Sequence, residues 1–146
     1  MTFAYSFDKK PVTVSAVFDG GGAGSNCSLL DYQKSVTKTG ANTAVAVPTA
    51  GWKGVKSITR VGDGDYTITF QDNYYRLLGV DAAVYSKDNS TAPLANAYYI
   101  KKVTLDASGG ATVELVTYLA TIGTPVAPGT NDRWFVSFTF ADSTAP

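Results

Sequence analysis

The chain has 146 residues, enough for a single domain with a sizeable hydrophobic core. Lys plus Arg and Asp plus Glu number 12 each, so the formal net charge is zero, and there is no basic excess to bind a nucleic-acid backbone or an acidic membrane surface. Only 16% of the residues are charged, so uncharged Ser, Thr, Asn, Gly and Tyr must form much of the surface, as is common where subunits cover one another.

Two short alternating segments lie at the N-terminal end. TFAYSF (residues 2–7) and PVTVSAVF (11–18) are joined by DKK and predict two strands, with Pro11 at the edge of the second. The first residues lack the charged start and the apolar run of a signal peptide, and no stretch approaches the roughly 18 apolar residues of a membrane span. We therefore expect a protein that is soluble when it is synthesised in the cytoplasm.

Residues 19–51 are rich in Gly, Ser, Thr, Ala and Asn and contain few bulky apolar side chains. A segment of this length without regular structure is uncommon in a compact domain, so it is either a disordered tether or an arm that becomes ordered against another molecule. The alternation in TAVAVP (43–48) favours the arm. Cys27, the lone cysteine, lies in the small-residue run GSNCS without a basic neighbour, which predicts an unreactive thiol and no disulfide within the chain.

The clearest secondary-structure signal is VKSITRVGDGDYTITF (55–70), two alternating segments on either side of GDGD. Asp63-Gly64 predicts a two-residue hairpin turn, because a type I′ turn needs φ > 0 at both central positions. The register that follows pairs Ser57 with Phe70, Thr59 with Ile68, Arg60 with Thr67 and Val61 with Tyr66. The return strand then turns Tyr66, Ile68 and Phe70 toward a core and its threonines toward the other face.

The next segments predict a loop, a strand and a second hairpin. QDNYYRLLG (71–79) predicts a polar loop that leads into the strand VDAAVYS, and KDNSTAPLAN (87–96) has the composition of a turn. AYYIKKVTL (97–105) and ATVELVTYL (111–119) predict two strands joined over DASGG.

The last predicted strand is RWFVSFTF (133–140), which follows a proline-containing loop at 121–132. Its core face carries Trp134, Val136, Phe138 and Phe140. About eight short strands without a long amphipathic helix predict one all-β domain over residues 1–146, with 19–51 as its arm. We expect an antiparallel β-sandwich with jelly-roll-like character, and a partly closed barrel remains the alternative.

Catalytic chemistry is not indicated. The chain contains no histidine, which removes Ser-His-Asp and Cys-His catalysis and the commonest zinc ligand. Glu114 is the one glutamate, and turn formation accounts for the aspartates, so no carboxylate pair is predicted to face across a cleft. Asp63 and Asp65 are spaced like calcium ligands, but the rest of a calcium-binding loop is missing. We therefore expect no enzyme activity, no metal and no cofactor.

Aromatic residues are the candidates for a contact surface, namely Trp52, Tyr74, Tyr75, Tyr98 and Tyr99. Aromatic rings provide apolar surface with a polar edge, which suits contact with a sugar. Tyrosine is also enriched at protein interfaces, and aromatic residues form cross-strand pairs within sheets. The sequence leaves sugar contact, subunit contact and internal packing open for these five.

The run GVKSITRVGDGDYTITFQDNYYRLLGV (54–80) resembles a pattern in virion proteins of tailed bacteriophages. Its elements are a strand of the form xSITRxGxG, the return strand YTITF and the segment D-x-Y-x-x-L-L-G. Here these are Ser57, Ile58, Thr59, Arg60, Gly62 and Gly64, then Tyr66 to Phe70, then Asp72, Tyr74, Leu77, Leu78 and Gly79. The run covers about a fifth of the chain and is similar to that of capsid decoration, or cement, proteins, which sit on the outside of phage heads.

The resemblance implies a non-enzymatic protein that is made in the host cytoplasm, often forms trimers and binds the major capsid protein on the outer surface of the head. In that case residues 19–51 reach across neighbouring capsid subunits. Ordering them costs about 1–2 kcal/mol per residue, which many simultaneous contacts in a lattice would offset. The alternative is a trimeric tail-fibre or carbohydrate-binding β domain that binds cell-surface sugar through Trp52 and exposed tyrosines. Neither interpretation implies binding to nucleic acid or to a membrane.

Overall fold

The computed structural model describes residues 11–18, 54–85, 95–126 and 133–143, which form seven β-strands and no helix. The strands are β1 (Val12–Phe18), β2 (Val55–Gly62), β3 (Asp65–Phe70), β4 (Tyr74–Tyr85), β5 (Ala97–Thr104), β6 (Thr112–Tyr118) and β7 (Arg133–Ser143). They form a three-stranded sheet in the order β1-β7-β4 and a four-stranded sheet in the order β2-β3-β6-β5, both antiparallel. The predicted all-β antiparallel class is confirmed.

Two of the predicted elements cannot be compared with the structure at all, and two more, the turn at 87–96 and the loop at 121–132, only in part, because residues 86–94 and 127–132 are outside the described ranges. The predicted strand at 2–7 and the predicted arm at 19–51, which includes Cys27, lie outside the described residues. The structure describes seven strands where the sequence predicted about eight, and the predicted strand at 2–7 is the one that cannot be compared.

One buried core joins the inner faces of the two sheets. The three-stranded sheet contributes Val14, Ala16, Phe18, Trp134, Val136, Phe138 and Phe140, and β3 contributes Tyr66, Ile68 and Phe70. The Phe70 ring meets the rings of Phe138 and Phe140 edge to face, with ring centroids 5.1 and 5.0 Å apart. The core faces predicted for the return strand of the first hairpin and for the last strand are both confirmed, because every second side chain of a strand lies on the same face.

The strands are arranged in space in the order of immunoglobulin-type sheets, but one of them comes from a different place in the sequence. In those domains strands A, B, E and D form one sheet and C, F and G form the other. Here β2-β3-β6-β5 has the A-B-E-D order and β4-β7-β1 has the C-F-G order. The last strand of that pattern is therefore supplied by β1, the first described strand of this chain. Jelly-roll connectivity is not confirmed, because the β2–β3 and β5–β6 hairpins each lie within one sheet.

The first hairpin has the predicted turn but a different register. Gly62 pairs with Asp65 across Asp63-Gly64, and Arg60 then pairs with Tyr66, so Val61 is the extra residue of a β-bulge. Beyond the bulge the pairs are Thr59 with Thr67, Ile58 with Ile68 and Ser57 with Thr69. The predicted pairing of Val61 with Tyr66 and of Thr59 with Ile68 was wrong because it would have placed Ile58 on the outer face. The bulge shifts the strand by one residue and brings Ile58 into the core.

The prediction of a loop at 71–79 is also wrong for most of these residues. Its loop part ends at Asn73, and β4 begins at Tyr74 and runs along β7. The sequence YYRLLG hides the strand because its apolar residues do not alternate. A register shift between Leu77 and Gly79 makes Leu78 an extra residue, which restores the alternation further along the strand.

The second predicted hairpin is confirmed, since β5 pairs with β6 over the loop between them. A register shift after Ile100 makes Lys101 an extra residue in β5. As a result Ile100 and Val103 both lie opposite buried residues of β6, Leu115 and Val113, although they are three positions apart. The mixed polarity of AYYIKKVTL thus reflects a bulge.

Shortening Phe138 to alanine tests the core. Its side chain is fully buried between Phe70 and Phe140, so Phe138→Ala should lower the free energy of unfolding by about 3–5 kcal/mol in urea denaturation. Thr139→Ala, one residue further on the outer face, is the control and should change it by less than about 1 kcal/mol. If Phe138→Ala left stability unchanged while self-association was lost, β7 would belong to a subunit interface instead.

Gly64 tests the turn. Its φ is +69°, and a Cβ there would collide with the carbonyl oxygen of Thr117. Gly64→Ala should therefore cost at least about 1–3 kcal/mol of stability. Gly62→Ala in the same hairpin is a matched control, because no atom lies within 4 Å of a Cβ at that position. Equal thermal stability of the two variants would show that the turn is formed differently.

Candidate interaction surface

Tyr74 belongs to the core. Its side chain is only 3% exposed, and its ring stacks on that of Phe140 with centroids 4.0 Å apart and an angle of 8° between the planes. Its backbone N–H donates to the carbonyl oxygen of Leu105 at 3.0 Å, which links the start of β4 to the end of β5. Tyr74 therefore stabilises the contact between the sheets, and its ring does not form part of the outer surface.

Tyr98 also supports the fold. Its ring lies edge to face with Trp134, with centroids 6.3 Å apart, and its hydroxyl donates to the carbonyl oxygen of Val80 at 3.4 Å. Since Val80 lies in the other sheet, Tyr98 bridges the two sheets along one side of the core. Trp52 lies outside the described residues, so its expected contact role stays a prediction.

Tyr75 and Tyr99 are the two expected contact residues that the structure places at the surface, 63% and 48% exposed. They lie on different sheets and at opposite ends of the strands. Tyr99 is near the start of β5, at the end of the body that carries the Asp63-Gly64 turn, which we call the Asp63 end. Tyr75 is near the start of β4, at the end that carries the loop 105–111, which we call the Asp106 end. The described tyrosines therefore do not form one stacking platform.

Exposed large apolar side chains identify a candidate contact surface better than the aromatic residue type does, because two of the predicted aromatic residues are in the core or bridge the sheets. Among the described residues they are Val61, Tyr75, Leu78, Tyr99 and Ile122. Val61 and Leu78 are both extra residues of β-bulges, and they are 61% and 48% exposed. Bulges commonly redirect a side chain near functional surfaces. Sequence analysis missed Val61, Leu78 and Ile122 as surface residues; the signal for the first two was the interrupted alternation around them.

Hydrogen bonds hold the Asp63 end together. The Thr117 backbone N–H donates to the Gly64 carbonyl at 2.7 Å, and the Thr117 carbonyl accepts from the Val126 N–H at 3.0 Å. The Thr117 hydroxyl, which is buried, donates to the Val126 carbonyl at 2.8 Å. The loop that carries Ile122 is therefore fixed to β6, which is in turn bonded to the turn of the first hairpin.

A charged group lies beside an aromatic pair on the outer face of the four-stranded sheet. The Lys101 ammonium contacts the Asp65 carboxylate at 2.8 Å and lies 4.0 Å from that of Glu114. The hydrogen bond to Asp65 raises the pKa of Lys101, although the pair is too exposed to stabilise the fold much. The rings of Tyr99 and Tyr118 lie 5.9 Å apart at 52°. Together these groups offer both apolar surface and hydrogen-bond partners.

The outer face of the three-stranded sheet has a polar part along β1 and β7, next to the apolar cross-strand pair of Val17 and Phe135. The hydroxyl oxygens of Ser15 and Ser137 lie 2.7 Å apart, and those of Thr13 and Thr139 lie 3.4 Å apart. Such cross-strand hydroxyl pairs tie β1 to β7 outside the core. This face offers no charged cluster on these two strands.

Within the part of the chain that the structure describes, no group of three or more His, Cys, Asp or Glu side chains could hold a metal ion. The same part contains no helix that is long and apolar enough to cross a membrane. Comparison with protein-family models, curated proteins and solved structures finds no match to this chain.

Tyr74 gives the fold a specific dependence on pH. Burial raises the pKa of its phenol above the ordinary value of 10.0, and the nearby Asp72 carboxylate raises it further. The unfolded chain then loses this proton at a lower pH than the folded chain does. The stability contribution is present below about pH 10 and is lost as the pH rises toward the folded pKa.

Unfolding in urea between about pH 9 and 11 should therefore show a steeper loss of stability for the wild type than for Tyr74→Phe, which lacks the ionising group. Tyr75→Phe is the control, because that side chain is exposed, and it should follow the wild type. Identical slopes for Tyr74→Phe and the wild type would contradict the assigned position of Tyr74.

Proposed function

We propose that this chain is a capsid decoration protein of a tailed bacteriophage. It binds the major capsid protein on the outer surface of the head, as a homotrimer, and holds neighbouring capsid subunits together. The proposal builds on the resemblance of residues 54–80 to phage virion proteins. It is supported by a two-sheet β body, best described as a sandwich, whose described surface combines polar faces with a few outward apolar side chains.

The observation that carries the proposal is the position of two bulges within the run 54–80. They turn Val61 and Leu78 outward, although the nearby apolar residues Ile58 and Leu77 pack in or against the core. Exposing a large apolar side chain gains nothing for the isolated domain, whereas burying it against a partner is favourable. The run that resembles virion proteins thus supplies apolar contacts for a protein partner.

The proposed mechanism is mechanical. A two-sheet body with one continuous core resists deformation, and each copy adds a few contacts between adjacent capsid subunits. Individually weak contacts become effective on a lattice, because a copy held at one site meets its second site at a high effective concentration. No step in this function requires a nucleophile, a general base or a metal.

A second function is favoured by the Tyr99–Tyr118 pair with its neighbouring charges. Aromatic rings beside Lys101, Asp65 and Glu114 combine apolar surface with hydrogen-bond partners, which suits a sugar. The chain would then be a trimeric receptor-binding or carbohydrate-binding domain of a tail fibre. Binding on a glycan array that is lost in Tyr99→Ala and kept in Leu78→Thr would support this function over decoration.

Decoration is tested by titrating purified protein onto undecorated heads and measuring occupancy by sedimentation. Leu78→Thr should weaken binding about 5- to 10-fold, because burying roughly half of a leucine side chain is worth about 1 kcal/mol or slightly more. Its fold should be unaffected, since the side chain is exposed in the isolated body.

Ile122→Thr is the matched control for that titration. It makes a similar change at an exposed residue that lies outside the run 54–80 and at the Asp63 end. Retained binding of Ile122→Thr together with weakened binding of Leu78→Thr supports the proposed contact. Equal affinity of wild type and Leu78→Thr, or failure of the wild type to bind heads, would contradict it.

A further inference from the structure

Two tyrosines lie side by side on the outer face of the four-stranded sheet, at the Asp63 end. Tyr99 of β5 lies opposite Val116 of β6, and Ala97 lies opposite Tyr118, so the two tyrosines are diagonal cross-strand neighbours. Aromatic side chains reach one another across such a diagonal. Their ring centroids are 5.9 Å apart, with an angle of 52° between the planes. Two phenol rings from neighbouring strands are therefore in contact at the surface.

Solvent access distinguishes this pair from the tyrosines that support the fold. Tyr66 and Tyr74 are buried in the core, and the hydroxyl of Tyr98 donates to the Val80 carbonyl. Tyr99 is 48% exposed, and Tyr118 is half-buried. A small reagent in solution can therefore reach two phenols that already touch each other.

The backbone around the pair is held in place. The Asn96 N–H donates to the Tyr118 carbonyl at 3.0 Å, and the Asn96 side-chain oxygen accepts from the Ala120 N–H at 2.9 Å. The β5–β6 ladder then continues without a shift from Ala97 to Ile100. A reaction between the two rings needs only rotation of their side chains. Groups held together in this way react as in a unimolecular step, at a high effective concentration.

Two phenols in contact are suited to oxidative coupling. A one-electron oxidant removes an electron from each phenol, and each phenol releases its proton to water, which leaves two tyrosyl radicals. The radicals join through a new carbon–carbon bond between ring positions next to the hydroxyls, and each of these carbons passes its hydrogen to its phenol oxygen. The pair has then lost two electrons and two protons. One hydrogen peroxide molecule takes up both and becomes two water molecules.

We propose that Tyr99 and Tyr118 are a site of oxidative modification, at which a peroxide-driven one-electron oxidant joins them into a dityrosine crosslink. The bond ties β5, the outermost strand of the described sheet, to β6 at the open end of their hairpin. A crosslink restricts the unfolded chain, as a disulfide does, and so favours the folded state. The reaction takes place within one chain and stands or falls independently of binding to a phage head or to sugar.

The test treats dilute full-length protein with a peroxidase and hydrogen peroxide and maps the products by mass spectrometry of peptides. We expect a single-chain product that is lighter by two hydrogen atoms, shows dityrosine fluorescence and has the peptides of Tyr99 and Tyr118 joined. Tyr99→Phe and Tyr118→Phe keep both rings but lack one phenol, so each should lose this product. Tyr75→Phe is the matched control and should keep it, because Tyr75 lies at the Asp106 end.

Three results would overturn the proposal. The first is no linked peptide from the folded wild type under conditions that couple free tyrosine. The second is a product that persists in Tyr99→Phe, which would assign the link to another tyrosine such as Tyr98 in the neighbouring position. The third is linkage mainly between separate chains. Crosslinked wild type should also unfold at a higher urea concentration than Tyr99→Phe treated in the same way, and equal midpoints would contradict the stabilising effect of the bond.

Discussion

The inner face of β7 is the feature on which the rest of the structure depends. Trp134, Val136, Phe138 and Phe140 point inward without interruption, and β1 and β4 pair along the two edges of this strand. The second sheet contacts the same face through Phe70 and Tyr98. Each buried large apolar side chain contributes about 1.5–3 kcal/mol, so one strand supplies a large share of the energy that holds both sheets together.

The sequence predicted the core face of a strand correctly where its apolar and polar residues alternate regularly, and failed where a bulge interrupts the alternation. YTITF alternates strictly, and RWFVSFTF has a large apolar residue at every second position from Trp134 to Phe140; both core faces were predicted correctly from these patterns. The register of the first hairpin could not be predicted, because the bulge at Val61 forms only when the sheet requires Ile58 beside Ile68. The same holds for β4, whose start is hidden by the bulge at Leu78. A turn signal specifies a loop, whereas a bulge is decided by tertiary packing.

The candidate surface was harder to predict than the fold. Tyr74 and Tyr75 are adjacent and chemically identical, yet one is stacked on Phe140 in the core and the other is 63% exposed. Tyr74 is the buried one because the ring of Phe140 lies within stacking distance of it, and the sequence alone does not reveal this contact. The order of the strands in the two sheets could not be predicted either, because the pairing of β1 with β7, the first and last described strands, leaves no local signal in the sequence.

The central claim is that this β body acts as a structural component on the outside of a phage head. The most direct test is to locate the chain by cryo-electron microscopy and antibody labelling on particles of the phage that we propose encodes it. We expect repeated copies at symmetry-related positions on the outer capsid surface, above the junctions between capsid subunits. Density and label found only at the tail tip or along tail fibres would contradict it.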